Sequence, residues 1–399
     1  MPGEQAEIAI LGAGIAGCAL AYHLTRRRVG AIVVHDPHTP AAGASGRAAG
    51  IVTEQLWNEW DVEVARETKR EFAELAARRD PSAYATNGFV RWTKDPLAEA
   101  ALREAEARFR QWKVPIERID ADGLVRRVPV GRFEDVRGAL FCAGDGVVTP
   151  STMTEIYASI AQENGADFWL GAPLNSLAAA DGRWELASGG HTVRVRQLIV
   201  AAGAWSKRIL GRLGHPVPLA PYRTQAAVLR PVAPSDELFP SVHDIDQDVY
   251  VRPESNGRIL AGDGTELVET DPDTFAPGGD ATFVEHIAEC FQERFPGWAD
   301  AELVRAWAGV CASTPDRRPL IGPVEGARGL FLIAGFNGFG VMRAAGAARR
   351  LADLLSAGEG STSELRALAP VLPGRFHPPL PTFRPRPGFT LEAGDDPRF

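Results

Sequence analysis

Residues 8–17 read Ile-Ala-Ile-Leu-Gly-Ala-Gly-Ile-Ala-Gly, and this stretch is the strongest indication of the fold in the chain. Its first four residues are apolar and predict a buried strand, and the glycines that follow form a G-x-G-x-x-G turn into a helix. Gly12 permits the tight turn, Gly14 lets the backbone approach a pyrophosphate, and Gly17 lets the helix lie close to the sheet. The pattern therefore predicts a βαβ unit that binds a dinucleotide.

Two neighbouring features agree with a dinucleotide site. A second predicted strand, 31–35, ends at Asp36, where a carboxylate can accept hydrogen bonds from both hydroxyls of a ribose. The first residues of the helix direct unpaired N–H groups toward the phosphates. The alternative is an ordinary βαβ unit whose glycines serve only the turn.

The bulk composition narrows the class of protein. The chain has 399 residues, 45% of them hydrophobic and 24% charged, which is typical of a soluble globular protein with room for two domains. A net charge of -8 argues against a nucleic-acid partner, because phosphate binding needs a basic surface. The four cysteines are scattered and predict neither a disulfide framework nor a metal site. We find no secretory signal and no apolar run long enough for a membrane helix, so we expect a cytoplasmic protein.

Three strand-to-glycine junctions, near residues 12, 203 and 335, organise the chain. Ligands of doubly wound sheets lie at the carboxyl ends of the strands, so we expect these junctions to meet around one extended ligand. The nucleotide-binding domain would comprise 1–80, 146–214 and 306–357. A second domain, 81–145 and 215–305, would cover the reactive end of the ligand. The proline-rich segment 358–399 is expected to be an irregular tail.

Further stretches carry a family resemblance that spans residues 8 to about 356. They resemble the FAD-dependent amine and amino-acid oxidoreductases typified by glycine oxidase, sarcosine oxidase and D-amino-acid dehydrogenase. These stretches are 43–50, 200–206, 250–253 with 260–262, 307–311 with 314–316 and 319–322, and 335–342.

The resemblance implies an α/β fold, with a Rossmann-like FAD-binding domain and a second antiparallel-sheet (α+β) substrate domain inserted discontinuously. It implies FAD as the cofactor. The residues it places at the FAD are Gly12, Gly14, Ile15, Ala16, Gly17, Asp36, Ser45, Gly46, Arg47, Ala49, Gly50, Ile51, Leu174, Ala202, Gly203, Trp205, Gly309, Gly335, Asn337, Gly338, Phe339, Gly340, Val341 and Met342.

The reaction implied by this family is oxidation of an amine or amino acid. Hydride transfer from the carbon next to nitrogen to flavin N5 gives an imine, which water hydrolyses. Backbone donors of residues 338–341, which open the last helix, would stabilise negative charge at flavin N1 and C2=O. Relatives of the sarcosine oxidase group have a cation at the position of Met342. Here either the neighbouring Arg343 replaces that cation or the helix dipole acts alone, and we favour the dipole.

Cys311 is the main departure from the family pattern. Glycine oxidase-like relatives have an arginine four residues after the tryptophan at 307, where it binds the substrate carboxylate in a bidentate manner. The cysteine either carries the flavin through a thioether, as in sarcosine oxidase-like relatives, or packs beside it. Its spacing to Asp316 is shorter than in the covalent enzymes, which favours non-covalent FAD.

Two more candidate catalytic residues lie in the substrate domain. Tyr250 matches a tyrosine that contacts substrate in the family, and the alternative is a packing role. Arg252 could replace the missing carboxylate clamp, or could form a surface salt bridge.

Other function classes stay open from the sequence. The enzyme could be a dehydrogenase of a hydroxy compound such as glycerol phosphate or a 2-hydroxy acid. It could also be a flavin-bearing subunit of a larger redox complex. The electron acceptor would be dioxygen or a quinone, and the sequence is compatible with a homo-oligomer.

Overall fold

The computed structural model describes residues 4–232, 239–254, 257–263, 269–358 and 360–376. Its helices are α1 (Ile15–Arg27), α2 (Ala44–Arg47), α3 (Glu59–Arg79), α4 (Pro96–Gln111), α5 (Ala121–Arg127), α6 (Pro150–Glu163), α7 (Ser206–Arg212), α8 (Ala281–Arg294), α9 (Gly340–Ala357) and α10 (Thr362–Leu368).

The strands fall into three sheets. They are β1 (Glu4–Leu11), β2 (Ile32–Asp36), β3 (Ile51–Val52), β4 (Tyr84–Thr86), β5 (Phe89–Thr93), β6 (Ile116–Ile119), β7 (Gly138–Cys142), β8 (Gly146–Val148), β9 (Asp167–Leu170), β10 (Leu174–Ala180), β11 (Arg183–Ser188), β12 (His191–Val200), β13 (Ala220–Arg230), β14 (Ser241–Asp244), β15 (Val249–Pro253), β16 (Ile259–Asp263), β17 (Glu302–Ser313), β18 (Leu320–Pro323) and β19 (Leu330–Ala334).

The first sheet is built around parallel strands. β1 lies between β2 and β12, β9 pairs with β2, and β19 pairs with the carboxyl-terminal half of β12. β19 and the carboxyl-terminal ends of β1 and β12 are apolar runs, because helices and loops cover both faces there. Helices α1, α3, α6 and α9 pack together on one face and share the largest hydrophobic core. The predicted junctions near 12, 203 and 335 follow three of these strands.

The second sheet has the strand order β17-β13-β16-β15-β14-β5-β7-β6 and is antiparallel except for the β5–β14 pair. One face packs against α8, where Phe283, Ile287 and Phe291 are buried. The other face meets the loop that follows β2. The predicted α/β fold class, with a Rossmann-like unit and a second antiparallel-sheet domain, is confirmed. The boundaries of the two domains stay a prediction, and the one between 305 and 306 falls within β17.

The segment after α9 was expected to be irregular, and for its described part this expectation is wrong. Residues 362–368 form α10, and two 3-10 turns follow at 369–371 and 373–376. The buried side chains of Leu368 and Val371 join the core beneath α9, so apolar burial overrides the proline-rich composition. Residues 377–399 lie outside the described residues. Within the described ranges, no helix combines the length and the apolar character needed to cross a membrane.

Candidate active site

The glycine turn after β1 is packed too closely for side chains. Gly12 has a φ of 113°, and a Cβ placed on it would lie 2.5 Å from the carbonyl oxygen of Ala201. A Cβ on Gly17 would lie 1.9 Å from the carbonyl oxygen of Gly12. Larger residues at either position would push α1 away from β1 and β12. The turn therefore holds the start of α1 at the carboxyl edge of the sheet.

Asp36 and Ser45 are hydrogen-bonded to this turn. The backbone N–H of Ala13 donates to Oδ2 of Asp36 at 2.8 Å, and that of His38 donates to Oδ1 at 2.9 Å. The N–H of Ile15 donates to Oγ of Ser45 at 3.0 Å. A carboxylate has about four lone-pair sites, so Asp36 keeps capacity for ribose hydroxyls while it is fixed against the glycine turn.

The loop with α2 joins the two sheets. Trp307 in β17 donates from Nε1 to the carbonyl oxygen of Arg47 at 3.0 Å, and a Cβ on Gly309 would lie 3.2 Å from Cβ of Arg47. The Arg47 guanidinium donates back to the carbonyl oxygens of Ala42 and Gly43. Its direct contact with a phosphate or a flavin stays a prediction.

Other predicted FAD residues surround the same edge of the first sheet. Trp205 lies near the loop, 3.6 Å from where a Cβ of Gly43 would be, and its Nε1 donates to Asp273 at 2.6 Å. A Cβ on Gly203 would meet no atom within 4 Å. The remaining predicted positions at this edge lie at the start of α1, in α2 and the residues that follow it, at the start of β10, and before α7. They are Gly14, Ala16, Gly46, Ala49, Gly50, Ile51, Leu174 and Ala202.

The loop from Gly335 to Phe339 leads into α9 and is held by Asn337. The Asn337 side-chain oxygen accepts from the backbone N–H of Thr314 at 2.8 Å, and its amide donates to the carbonyl oxygen of Gly335 at 2.7 Å. The backbone N–H of Asn337 donates to Ala312 at 3.0 Å. The side chain thus fixes the loop against β17. The predicted roles of this loop and of Gly340, Val341 and Met342 at the FAD stay predictions.

Arg343 is wholly buried and is paired with Asp61 of α3. Its Nη1 donates to the Asp61 carboxylate at 2.6 Å, and its other nitrogens donate to the carbonyl oxygens of Phe336 and Phe339. Its guanidinium also lies over the ring of Trp57, 5.7 Å from the centroid. The positive charge is therefore neutralised by a carboxylate, and the choice between Arg343 and the helix dipole at the flavin stays a prediction.

A cluster of two phenols and a thiol faces this loop. Tyr222 lies directly opposite Cys311 in the β13–β17 pair, and the two side chains are hydrogen-bonded. A Cβ on Gly338 would lie 2.9 Å from the Tyr222 hydroxyl. Tyr250 lies over Gly262, whose Cβ would be 2.1 Å from its hydroxyl. Tyr222, Tyr250 and Cys311 are named the phenol–thiol cluster below.

Burial sets the protonation of the cluster. It raises the pKa of the Cys311 thiol to about 11, and the hydrogen bond with Tyr222 opposes this rise. Burial, and then the charge of Asp263, raises the pKa of Tyr250. The pKa of Tyr222 is raised first by burial and then by Cys311. All three groups are therefore protonated and uncharged at neutral pH, and each can donate a hydrogen bond.

Tyr222 was not among the residues predicted from the sequence. A single tyrosine within a strand has no motif around it. Tyr222 lies opposite Cys311 only because of the register between β13 and β17. A contact between strands so far apart in the chain cannot be predicted from the local sequence.

Arg252 is almost wholly buried, and its three nitrogens are engaged. They donate to the carbonyl oxygen of Ala49, to that of Pro253 at 2.8 Å, and to the carboxylate of Glu254. The side chain links β15 to the loop after α2. The surface salt bridge considered from the sequence is instead a buried interaction, and a role in clamping a substrate carboxylate stays a prediction.

The residues at the sheet edge fit the FAD implied by the resemblance. At one end are close-packed glycines, an anchored carboxylate and a helix N-terminus, which suit a pyrophosphate and a ribose. At the other end the glycine loop opens α9 and faces hydrogen-bond donors, which suits a ring that gains negative charge on reduction.

Comparisons with known proteins agree with this geometry. A model of the DAO family, described as FAD dependent oxidoreductase, matches residues 7–354. Mitochondrial dimethylglycine dehydrogenase of Homo sapiens is 24% identical over 389 residues, with 89% of this chain and 43% of that protein covered. The chain thus spans less than half the length of that relative. Glycine oxidase of Geobacillus kaustophilus is 24% identical, with 88% and 92% covered.

Among solved structures, that of L-proline dehydrogenase from P. horikoshii superposes with a TM-score of 0.85 at 22% identity. The match covers 94% of this chain and 98% of that one. At this identity the similarity establishes the fold.

Proposed function

Because the chain belongs to the DAO family of FAD dependent oxidoreductases, we propose that it oxidises an amine or amino acid at the carbon next to nitrogen. The observation that carries the proposal is the phenol–thiol cluster, which faces the glycine loop before α9. The names of the relatives, glycine oxidase and dimethylglycine dehydrogenase, support an amine as the reacting group.

The cluster would bind the amine and favour its reactive form. Bound FAD supplies the hydride acceptor. The substrate gives up a hydride from carbon, and a primary or secondary amine also gives up a proton from nitrogen. Water then hydrolyses the resulting imine, or the iminium ion formed from a tertiary amine, to a carbonyl compound and an amine. An uncharged amine is needed because an ammonium nitrogen has no lone pair to assist C–H cleavage. Neutral phenols stabilise that form, since each hydroxyl can donate a hydrogen bond to the nitrogen lone pair.

The nucleotide half of the site would hold the cofactor by backbone groups. The first turn of α1 would donate to the pyrophosphate, Asp36 would accept from the ribose, and Ser45 would cap the same turn. The N-terminus of α9 would stabilise negative charge at the ring through its dipole. We propose that FAD is bound non-covalently, because a thiol with a raised pKa holds little of the nucleophilic thiolate that thioether formation requires.

Anaerobic absorbance spectroscopy of the purified protein tests the function. The flavin would be mixed in turn with sarcosine, proline, D-amino acids, simple amines, glycerol phosphate and 2-hydroxy acids. We expect an amine to bleach the flavin. Bleaching only by a hydroxy compound would overturn the amine proposal. A flavin that dithionite reduces but no compound bleaches would favour a subunit that depends on partner chains.

The electron acceptor is tested by reoxidation. Mixing the reduced protein with dioxygen or with a soluble quinone, and following the return of the flavin absorbance, distinguishes an oxidase from a dehydrogenase.

A further inference from the structure

The charges around the phenol–thiol cluster have an unusual balance for a site that binds amino acids. Two cations whose charge acts on its phenols are Arg343, at Tyr222, and Arg252, at Tyr250. Arg343 is paired with Asp61 at 2.6 Å, and Arg252 is paired with Glu254. Each arginine is therefore already neutralised by a carboxylate of the protein.

Negative charge is also close to the cluster. The carboxylates of Asp263 and Asp248 both raise the pKa of Tyr250, after the larger effect of burial.

Two further basic side chains, Arg91 and His243, share the face of the second sheet that carries Tyr250. Arg91 donates to the carbonyl oxygen of Gln55 at 2.8 Å, and Nε2 of His243 lies 3.1 Å from Asp248. Both are almost wholly buried.

We propose that this site selects amines that carry no ionised carboxylate next to the reacting carbon. The substrate class would be secondary or tertiary amines, or amino-acid amides, rather than free α-amino acids. The inference rests on the proposed amine oxidation for its chemistry, but the charge preference itself is a property of the cluster and its neighbours.

The physical reason is the cost of burying an anion. A carboxylate transferred from water into a buried site loses its hydration, and only a cation or several hydrogen bonds can repay that loss. Phenols and a thiol can donate hydrogen bonds but supply no positive charge. A neutral carbonyl or an alkyl group in the same place loses far less hydration.

Two isosteric ligands test the charge preference without turnover. Methoxyacetate and methoxyacetamide have the same shape, lack a nitrogen next to a hydride donor, and differ in charge. Their binding would be measured by perturbation of the oxidised flavin spectrum. We expect a Kd for methoxyacetamide at least tenfold below that for methoxyacetate. Tighter binding of methoxyacetate, or no perturbation by methoxyacetamide, would overturn the inference.

The same titration separates this inference from the proposed function. If methoxyacetamide binds more tightly but no amine bleaches the flavin, amine oxidation fails and the charge preference stands. If amines bleach the flavin but methoxyacetate binds more tightly, amine oxidation stands and the charge preference fails.

Two variants examine the cause of the preference. Cys311→Arg introduces a cation and should reverse the order of the two Kd values, whereas Cys311→Met, of comparable length without charge, should keep it.

Glu254→Gln leaves Arg252 without its carboxylate and should strengthen methoxyacetate binding several-fold. Its matched control is Glu302→Gln, which removes an exposed partner of Arg230 in the same sheet and should leave the ratio unchanged. An unchanged ratio in both Cys311→Arg and Glu254→Gln would contradict the electrostatic explanation.

Discussion

Asp61 and Arg343 are 282 residues apart in the chain, yet a carboxylate oxygen of one lies 2.6 Å from a guanidinium nitrogen of the other. Both side chains are fully buried. The same guanidinium donates to two carbonyl oxygens of the loop that precedes α9. The pair therefore fixes α3, α9 and the glycine loop relative to one another.

Asp61→Asn should destabilise the protein strongly, because it leaves the Arg343 charge buried without a counter-charge. We expect the free energy of unfolding to fall by about 3–5 kcal/mol, measured by urea denaturation. The control is Arg79→Gln, which breaks the exposed pair with Glu163 and should leave the free energy of unfolding nearly unchanged, because water screens that pair. Equal losses in the two variants would contradict a stabilising role for the buried pair.

Gly338→Ala should disturb the glycine loop. The residue has a φ of 82°, and its Cβ would press against the Tyr222 hydroxyl. Strain and crowding together should cost about 1–3 kcal/mol and lower the FAD content of the purified protein. Gly165→Ala is the matched control, since Gly165 has a φ of 93° but no atom within 4 Å of its Cβ position. A normal FAD content in Gly338→Ala would show that the loop does not need this close contact.

Gly262→Ala should displace Tyr250, and the new methyl group would also press on the backbone oxygen of Gln225 at 2.9 Å. The new methyl group would lie 2.1 Å from the present position of the Tyr250 hydroxyl, so the phenol must move. We expect flavin reduction by the best amine substrate to slow at least about tenfold, equivalent to about 1.4 kcal/mol, with unchanged FAD content. Gly211→Ala, where no atom lies within 4 Å, controls for the substitution itself. Unimpaired reduction in Gly262→Ala would remove Tyr250 from the substrate site.

The Cys311 thiol should resist alkylation at neutral pH. Its pKa is raised by burial from 9.0 to about 11, so its thiolate fraction is about 100-fold below that of an ordinary cysteine. The rate of carboxamidomethylation by iodoacetamide, followed by mass spectrometry of the Cys311 peptide, should rise about tenfold per pH unit until the pH reaches that pKa. A rate that levels off by pH 9 would contradict the raised pKa.

The nucleotide-binding half of the molecule could be predicted from the local sequence. The predicted strand, glycine turn, helix and acidic residue appear as β1, α1 and β2, ending at Asp36. Such signals are short in range, because turn geometry and apolar periodicity depend on neighbouring residues. The strand ends at 200 and 334 were likewise marked by apolar runs that stop at small residues.

The part of the site around the phenol–thiol cluster could be predicted from the sequence only in part. The substitution at position 311 was visible, but its partner Tyr222 depends on pairing between β13 and β17. The Arg343 side chain is held by its ion pair with Asp61, and no sequence motif marks Asp61 as its partner. The short helix α10 was missed because proline-rich composition hides the few apolar residues that it buries.

The order of strands in the first sheet has a consequence for biosynthesis. β1 pairs with β12, and β12 pairs with β19, while Arg27 and Asp353, 326 residues apart, form an ion pair between α1 and α9. A ribosome must therefore release residues 1–334 before the first sheet can acquire all of its strands. Chains with such distant contacts fold slowly and expose apolar surface meanwhile. We expect the nascent protein to depend on chaperones until residues 330–355 have emerged.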